Sequence, residues 1–235
     1  ETVTVLRDHR ELPRQLWAGS RILILSADET VPGEVAELLS ANGFGESRMT
    51  TLGDLGTPSA SSYTATADHW SGRPAPRLHV LAVEAAAAAD RAGLGLAAGL
   101  PDAAFEHDGQ LTKRDLRASA LARLAPVPGA LLWDVGAGAG SVGIEWLRHH
   151  RGCRALAIES DPVRAQRISR NAAALGVPAL EVVHGLAPEA LATLPQPDAI
   201  FVGGGASCDG VLDHCWAALP PGGRLVVHAV TAETE

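Results

Sequence analysis

The chain is short of the features that mark several classes of protein. Among its 235 residues there are three cysteines, Cys153, Cys208 and Cys215, which cannot all pair and show no Cys-x-x-Cys spacing. That argues against a disulfide framework and for a reduced, cytoplasmic setting. No apolar run is long enough to span a bilayer, so neither a membrane partner nor a secretory signal is expected. Basic residues are outnumbered, 19 lysines and arginines against 27 carboxylates, for a formal net charge of −8. Nucleic-acid binders normally present a basic face, so no nucleic-acid partner is expected. An initiating methionine is absent: the chain enters a strand-like segment almost at Glu1 and reads as a piece of something longer. No nucleophilic triad stands out. Cys208, Asp209, Asp213, His214 and Cys215 straddle a helix start without a zinc spacing, so no metal is expected.

What the chain does have is Leu131 to Gly143, Leu-Leu-Trp-Asp-Val-Gly-Ala-Gly-Ala-Gly-Ser-Val-Gly. An apolar run reads as a buried strand, and Gly136, Gly138 and Gly140 form a turn with Ala137 and Ala139 between them. A helix with Val142, Ile144, Trp146 and Leu147 follows. This is the first unit of a nucleotide-binding α/β sheet, where backbone approaches a ligand closely. Nineteen residues past Gly140, Ala155-Leu-Ala-Ile-Glu159 reads as a second buried strand ending in a carboxylate. That spacing sets Glu159 beside the turn, able to accept both hydroxyls of a ribose and unfavourable to a 2′-phosphate. A dinucleotide fingerprint needs glycine or alanine three places after Gly138, and that place is Ser141. The form present, Gly-x-Gly-x-Gly preceded by Asp134, is the one that S-adenosylmethionine (SAM) methyltransferases carry. Asp134 there can orient the loop or attract the cofactor's ammonium. A dinucleotide site and a purely structural glycine turn stay open beside SAM.

Strands are expected at Thr2–Leu6, Arg21–Leu25, Arg48–Leu52 and Leu78–Val83, with a helix over Pro32–Asn42 and a turn-rich stretch over Gly53–Ser62. These few elements make residues 1–83 a small α/β unit with little core of its own. Residues 84–99 are rich in alanine and glycine and read as a linker. Residues 100–235 then alternate strands and helices, which requires parallel pairing with right-handed crossovers. A helix over Thr112–Leu124 turns Leu116, Ala120 and Leu124 to one face and Lys113, Arg114, Arg117 and Arg123 elsewhere. Asp161 caps a helix opened by Pro162. Later strands are expected at Leu180–Val183, Asp198–Val202 and Arg224–Val230. Ligands in such sheets sit beyond the carboxyl ends of the strands, an edge that holds the glycine turn, Glu159, His184 to Ala187, Gly203 to Gly205 and His228.

Several stretches together resemble one family. They are Gly99-Leu-Pro-Asp102 with Phe105, Leu111-Thr-Lys113 with Arg117, Leu132 to Gly140, and Ala157-Ile-Glu159. Further on come Val183-His-Gly-Leu-Ala-Pro188, Phe201-Val-Gly-Gly-Gly205, Pro221-Gly-Gly-Arg-Leu225 and Ala229 to Glu235. In these, residues 100–235 resemble the decarboxylating domain of the precorrin-6Y C(5,15)-methyltransferases of cobalamin biosynthesis. Residues 1–83 resemble the second half of the tetrapyrrole methylase domain fused upstream, with Asp8-His-Arg10 and Gly53-Asp-Leu-Gly56 as weaker matches. The resemblance implies a Rossmann-like class I SAM-methyltransferase sheet, here stopping before its antiparallel edge hairpin. It implies cofactor contacts at Thr112, the turn Gly136 to Gly140, Glu159 and Ala187. It also implies methylation of carbon-15 of a precorrin with loss of the carbon-12 acetate carboxyl. Leu186 departs from an acidic residue frequent in relatives.

Methyl transfer from a sulfonium is an in-line displacement, so alignment and exclusion of water are the main work. A substrate with many carboxylates needs cationic partners, for which Lys113, Arg114 and Arg117 are candidates; the other reading is a solvated helix face. Gly203, Gly204 and Gly205 are candidates to border the substrate. His184 and His228 lie at strand ends where a proton could be shuttled, against the alternative of structural histidines. The expected partner is the precorrin, with a homo-oligomer as the assembled state. Two rival functions stay open: an RNA or protein methyltransferase on the same scaffold, and a fragment that binds SAM without turnover. No Asn-Pro-Pro-aromatic tetrad follows the fourth strand of the sheet, which disfavours amine methylation.

Overall fold

The computed structural model describes residues 2–26, 28–72, 74–89 and 93–228, divided into two compact units, Glu1–Gly95 and Leu96–Glu235.

In the first unit, strands β1 (Val3–Leu6), β2 (Arg21–Ser26), β3 (Arg48–Gly53), β4 (Ser61–Thr66) and β5 (His79–Glu84) form one sheet in the order β1-β2-β5-β3-β4. β1 and β2 run parallel and the other pairs antiparallel. Helix α1 (Val31–Ala41), opened by Pro32, lays Val35, Ala36 and Leu39 on a core with Leu6, Ile22, Ile24, Met49, Leu81 and Val83. The expectation of a unit with little core is thus corrected. A 3-10 segment, His9–Gln15, contributes the buried Leu12, and β4 adds a fifth strand where part of a turn-rich stretch is expected.

The second unit is a parallel sheet of β6 (Leu131–Val135), β7 (Arg154–Glu159), β8 (Glu181–His184), β9 (Ala199–Val202) and β10 (Arg224–Val227), in the order β10-β9-β6-β7-β8. Every described pairing in it is parallel. The order reverses between β6 and β9, and such a reversal opens a crevice at the strands' carboxyl ends. All residues of β6 are buried, as expected for a strand covered on both faces. Leu131, Trp133 and Val135 face a core shared with Leu191, Val211 and Cys215, the last two from α5 (Val211–Ala218). On the opposite face Asp134 meets Gly143 of α3 (Ser141–His149). Helices α2 (Arg114–Leu124) and α4 (Pro162–Ala174) flank α3. Asp161 caps α4 by accepting from the backbone N–H of Val163 and Arg164.

One phase differs from expectation. The buried residues of α2 are Arg117, Ala120, Leu121 and Leu124, spaced as a helix face should be, whereas Leu116 is 57% exposed. The helix is turned so that an arginine occupies an inward position, tolerated because a carboxylate meets it there. The stretch Ala229 to Glu235, and with it the end of the expected last strand, lies outside the described residues.

Candidate functional site

The glycine turn is built by contact. Gly136 has φ +66°, and a side chain there would drive its Cβ to 2.6–2.8 Å from the backbone of Gly204, so the turns after β6 and β9 can touch only through glycine. Gly138, at φ +59°, lies under Gln110, whose carbonyl oxygen would stand 2.9 Å from an added Cβ. Gly140 caps α3 in the left-handed conformation and packs on Ile168.

Above this turn opens a cavity of about 520 Å³, within the range of small-molecule sites. One wall is Gly109 to Lys113 with Leu116; the floor is Val135 to Gly138. Ile158 to Ser160 and Arg164 border one side, Gly185 to Ala187 another, and Gly203 to Gly205, Cys208, Val227 and His228 the last. The structure therefore brings together Thr112, Lys113, Gly136, Ala137, Gly138, Glu159, Ala187, Gly203, Gly204, Gly205 and His228. Arg164 joins them, although no spacing in the sequence distinguishes it from the other arginines of α4.

Glu159, 5% exposed, accepts hydrogen bonds from the backbone N–H of Gly138 at 2.8 Å and of Asp161 at 3.0 Å. Each oxygen keeps a further lone-pair site, so the carboxylate both holds the turn and borders the cavity. Asp134 and Ala139 lie beneath the floor. Asp134 is buried; one oxygen accepts from Gly143 N–H at 2.8 Å and the other has no hydrogen-bond partner. Burial, with the Glu159 charge adding, outweighs the Gly143 hydrogen bond and pushes its carboxyl up to about 7. The Gly143 contact is to the first turn of α3, just past the glycine turn. His228 packs edge-on against Phe201 with ring centres 4.8 Å apart, and burial lowers the pKa of its imidazole.

Three candidates are placed elsewhere. Arg117, as a substrate-facing cation, is corrected: it is fully buried and bound to Glu145 at 2.6 Å. Its guanidinium makes four hydrogen bonds, all to internal acceptors. Arg114 is exposed on α2 but does not border the cavity. His184 also lies off the cavity, its ring nitrogen 3.0 Å from the carbonyl oxygen of Ser160. Among the described residues no group of three or more His, Cys, Asp or Glu could hold a metal. No described helix is long and apolar enough to cross a membrane.

Comparison with known proteins agrees with this geometry. The family described as precorrin methyltransferase domain matches residues 103–235. The chain is 51% identical, over 220 residues, to a precorrin-6Y C(5,15)-methyltransferase [decarboxylating] of Sinorhizobium, an alignment covering 94% of this chain and 53% of that protein. It spans about half the length of the curated relatives it matches at 51% and 42% identity. The crystal structure of the C-terminal domain of precorrin-6Y C5,15-methyltransferase from Rhodobacter capsulatus superposes with a TM-score of 0.56 at 46% identity, covering 60% of this chain and 76% of that one. A SAM-dependent O-methyltransferase from Thermotoga maritima, 14% identical with a TM-score of 0.52 over 83% of this chain and 78% of that one, shares the fold alone. With its parallel sheet reversing over a glycine turn, the chain belongs to the precorrin methyltransferase domain family, on the Rossmann-like sheet of class I SAM-dependent methyltransferases.

Proposed function

We propose that the chain is a SAM-dependent C-methyltransferase of cobalamin biosynthesis. It methylates carbon-15 of a precorrin with decarboxylation of the carbon-12 acetate. Residues 1–83 are then the second half of a tetrapyrrole methylase domain, 84–99 a linker and 100–235 the methyltransferase domain. The observation that carries the reading is the cavity over Gly136–Gly138 bordered by Glu159, in a chain half identical to an enzyme of that name.

The residues present fit an adenosyl sulfonium. The turn leaves room that a Cβ would fill, and Glu159 has acceptor capacity toward the cavity for ribose hydroxyls. SAM supplies an electrophilic methyl group, and an electron-rich ring carbon can be its own nucleophile, so a nucleophilic side chain is not required. What falls to the protein is alignment and exclusion of water. Thr112, the glycine turn, Glu159 and Ala187 hold the cofactor. Gly203 to Gly205 let the flat ring approach without side chains in the way. Of the two cations that border the cavity, Arg164 is bonded to Asp108 at 2.9 Å and Lys113 stands 3.8 Å from Asp102, and the more exposed Lys113 is the one offered to a substrate carboxylate. His228, whose imidazole burial keeps neutral, can accept a proton shed by the methylated ring and, once protonated, return it to the carbon that has lost carbon dioxide. The setting is the cytoplasm, without a nucleic-acid partner.

Mass spectrometry of precorrin-6B incubated with the protein and SAM tests this. The expected product gains one methyl and loses carbon dioxide. An unchanged mass with S-adenosylhomocysteine bound leaves a binding fragment, and methylated RNA or peptide in its place overturns the substrate class.

A further inference from the structure

The cavity wall at Gly109–Lys113 belongs to a strap, residues 99–113, whose one regular element is a 3-10 turn at Asp102–Ala104. Irregular backbone beside a cavity keeps its shape only if its polar groups are tied. Here the ties converge on one side chain. The Arg117 guanidinium donates through Nε to Glu145 at 2.6 Å and through Nη1 to Asp102 at 3.3 Å. It also donates to the carbonyl oxygens of Thr112 and Leu100, and its carbon stands 4.8 Å from the centre of the Phe105 ring. Glu145 in turn accepts from Gly99 N–H at 2.6 Å and Leu100 N–H at 2.9 Å. The stretches Gly99-Leu-Pro-Asp102, Phe105, Leu111-Thr-Lys113 and Arg117, separate in the sequence, thus meet at one buried ion pair.

Stability alone does not call for such a pair. Two well-packed apolar residues of similar volume are often as stabilising or more so. An apolar pair, however, could not join Leu100 to Thr112. A guanidinium spreads five N–H donors over three nitrogens in a fixed plane, so it reaches acceptors set well apart, whereas an ammonium has its three donors on a single atom. Thr112 borders the cavity, so one hydrogen bond separates Arg117 from the wall. The middle of the strap is tied independently. Asn171 accepts from Glu106 N–H at 2.8 Å and donates to the carbonyl oxygens of Glu106 and Ala139, both at 2.9 Å, joining strap to glycine turn.

We propose that Arg117 is a positioning residue: through the carbonyls of Leu100 and Thr112 it closes the strap and fixes Gly109–Lys113 against the glycine turn as a wall of the cofactor site. The role of the wall rests on the SAM reading above.

Arg117→Lys tests this, with S-adenosylhomocysteine as the probe. The folded variant is expected to bind it about tenfold or more weakly by calorimetry and to show a raised KM for SAM. Amides of 109–113 should exchange faster while those of β6 and β7 stay as protected as in the native protein. A merely structural Arg117 gives the opposite pattern, a lower Tm and faster exchange throughout the unit with unchanged affinity; that result overturns the inference. Should Arg117→Lys not fold, the apolar pair Arg117→Met with Glu145→Leu decides, since it removes both buried charges together and leaves Leu100 and Thr112 unjoined. Weaker binding with faster exchange confined to 109–113 supports the proposal, and no change in either overturns it. If the native protein itself binds no S-adenosylhomocysteine, the SAM reading fails, while the exchange pattern still reports whether Arg117 holds the strap.

Discussion

Glu159 and Asp134 are two carboxylates of one crevice, and their surroundings set them apart. Glu159 has two backbone N–H donors that fix its carboxylate at the border of the cavity. Hydrogen bonds to a charged group contribute about 1.5–3 kcal/mol, which is roughly ten- to a hundredfold in affinity. Glu159→Gln should weaken S-adenosylhomocysteine binding by that factor in calorimetry; equal heats for variant and native protein would remove the ribose assignment. Asp134 has one donor and no water-facing surface, and its carboxyl titrates at about 7. Between about pH 4, where an unfolded aspartate titrates, and about 7, the folded protein keeps a proton that the unfolded chain has released. The unfolded state therefore binds fewer protons, and stability falls as pH climbs through that window, then levels. Asp134→Asn should flatten the decline in Tm across it, as a series of melts at graded pH would show. Both carboxylates were legible from their spacing to the glycines. Glu145 was not, because its partner Arg117 lies 28 positions away and its other bonds go to backbone.

At the level of elements, legibility followed burial. β6, β7 and β9 are covered on both faces, so their sequences are continuous apolar runs that announce strands. β4, Ser-Ser-Tyr-Thr-Ala-Thr, is an edge strand with no buried position; nothing apolar marks it, and its pairing with β3 is what makes it a strand. The phase of α2 departs from its sequence pattern for a related reason. Leucine is expected inward and arginine outward, yet Leu116 borders the cavity while Arg117 is inside. The start of α4 was plain, since Asp161-Pro162 is a local signal that needs no tertiary partner. Asp161 takes N–H bonds at 2.8 and 3.1 Å. Asp161→Ala should then lower stability by about 1 kcal/mol, or roughly 2–4 °C in Tm for a chain of this size. S-adenosylhomocysteine affinity should stay within about twofold, because Asp161 does not itself border the cavity and its bond to Glu159 runs through the backbone N–H, which the substitution keeps. A variant with native Tm would show that packing of Ile168 and Ala172, and not the cap, sets the helix start.

For the molecule as a whole, the question is how much of the chain the candidate site needs. Every residue bordering the cavity falls between Gly109 and His228, within the unit that begins at Leu96. That unit carries its own core around Trp133, Ile158, Ile200 and Val202, and its own ties from strap to turn. Domains with a separate core and few crossing dependencies can fold alone, and at about 140 residues the unit is long enough to bury most of the surface that its unfolded chain exposes. The two compact units part at Gly95, within the alanine- and glycine-rich stretch 84–99. A chain trimmed to residues 96–235 should therefore unfold cooperatively and bind S-adenosylhomocysteine within about threefold of the 235-residue protein. Calorimetry on the two proteins side by side measures this directly. A loss of tenfold or more from a trimmed protein that still unfolds cooperatively would mean that residues 1–95 act on the cavity, and that the site is not the property of the parallel sheet alone.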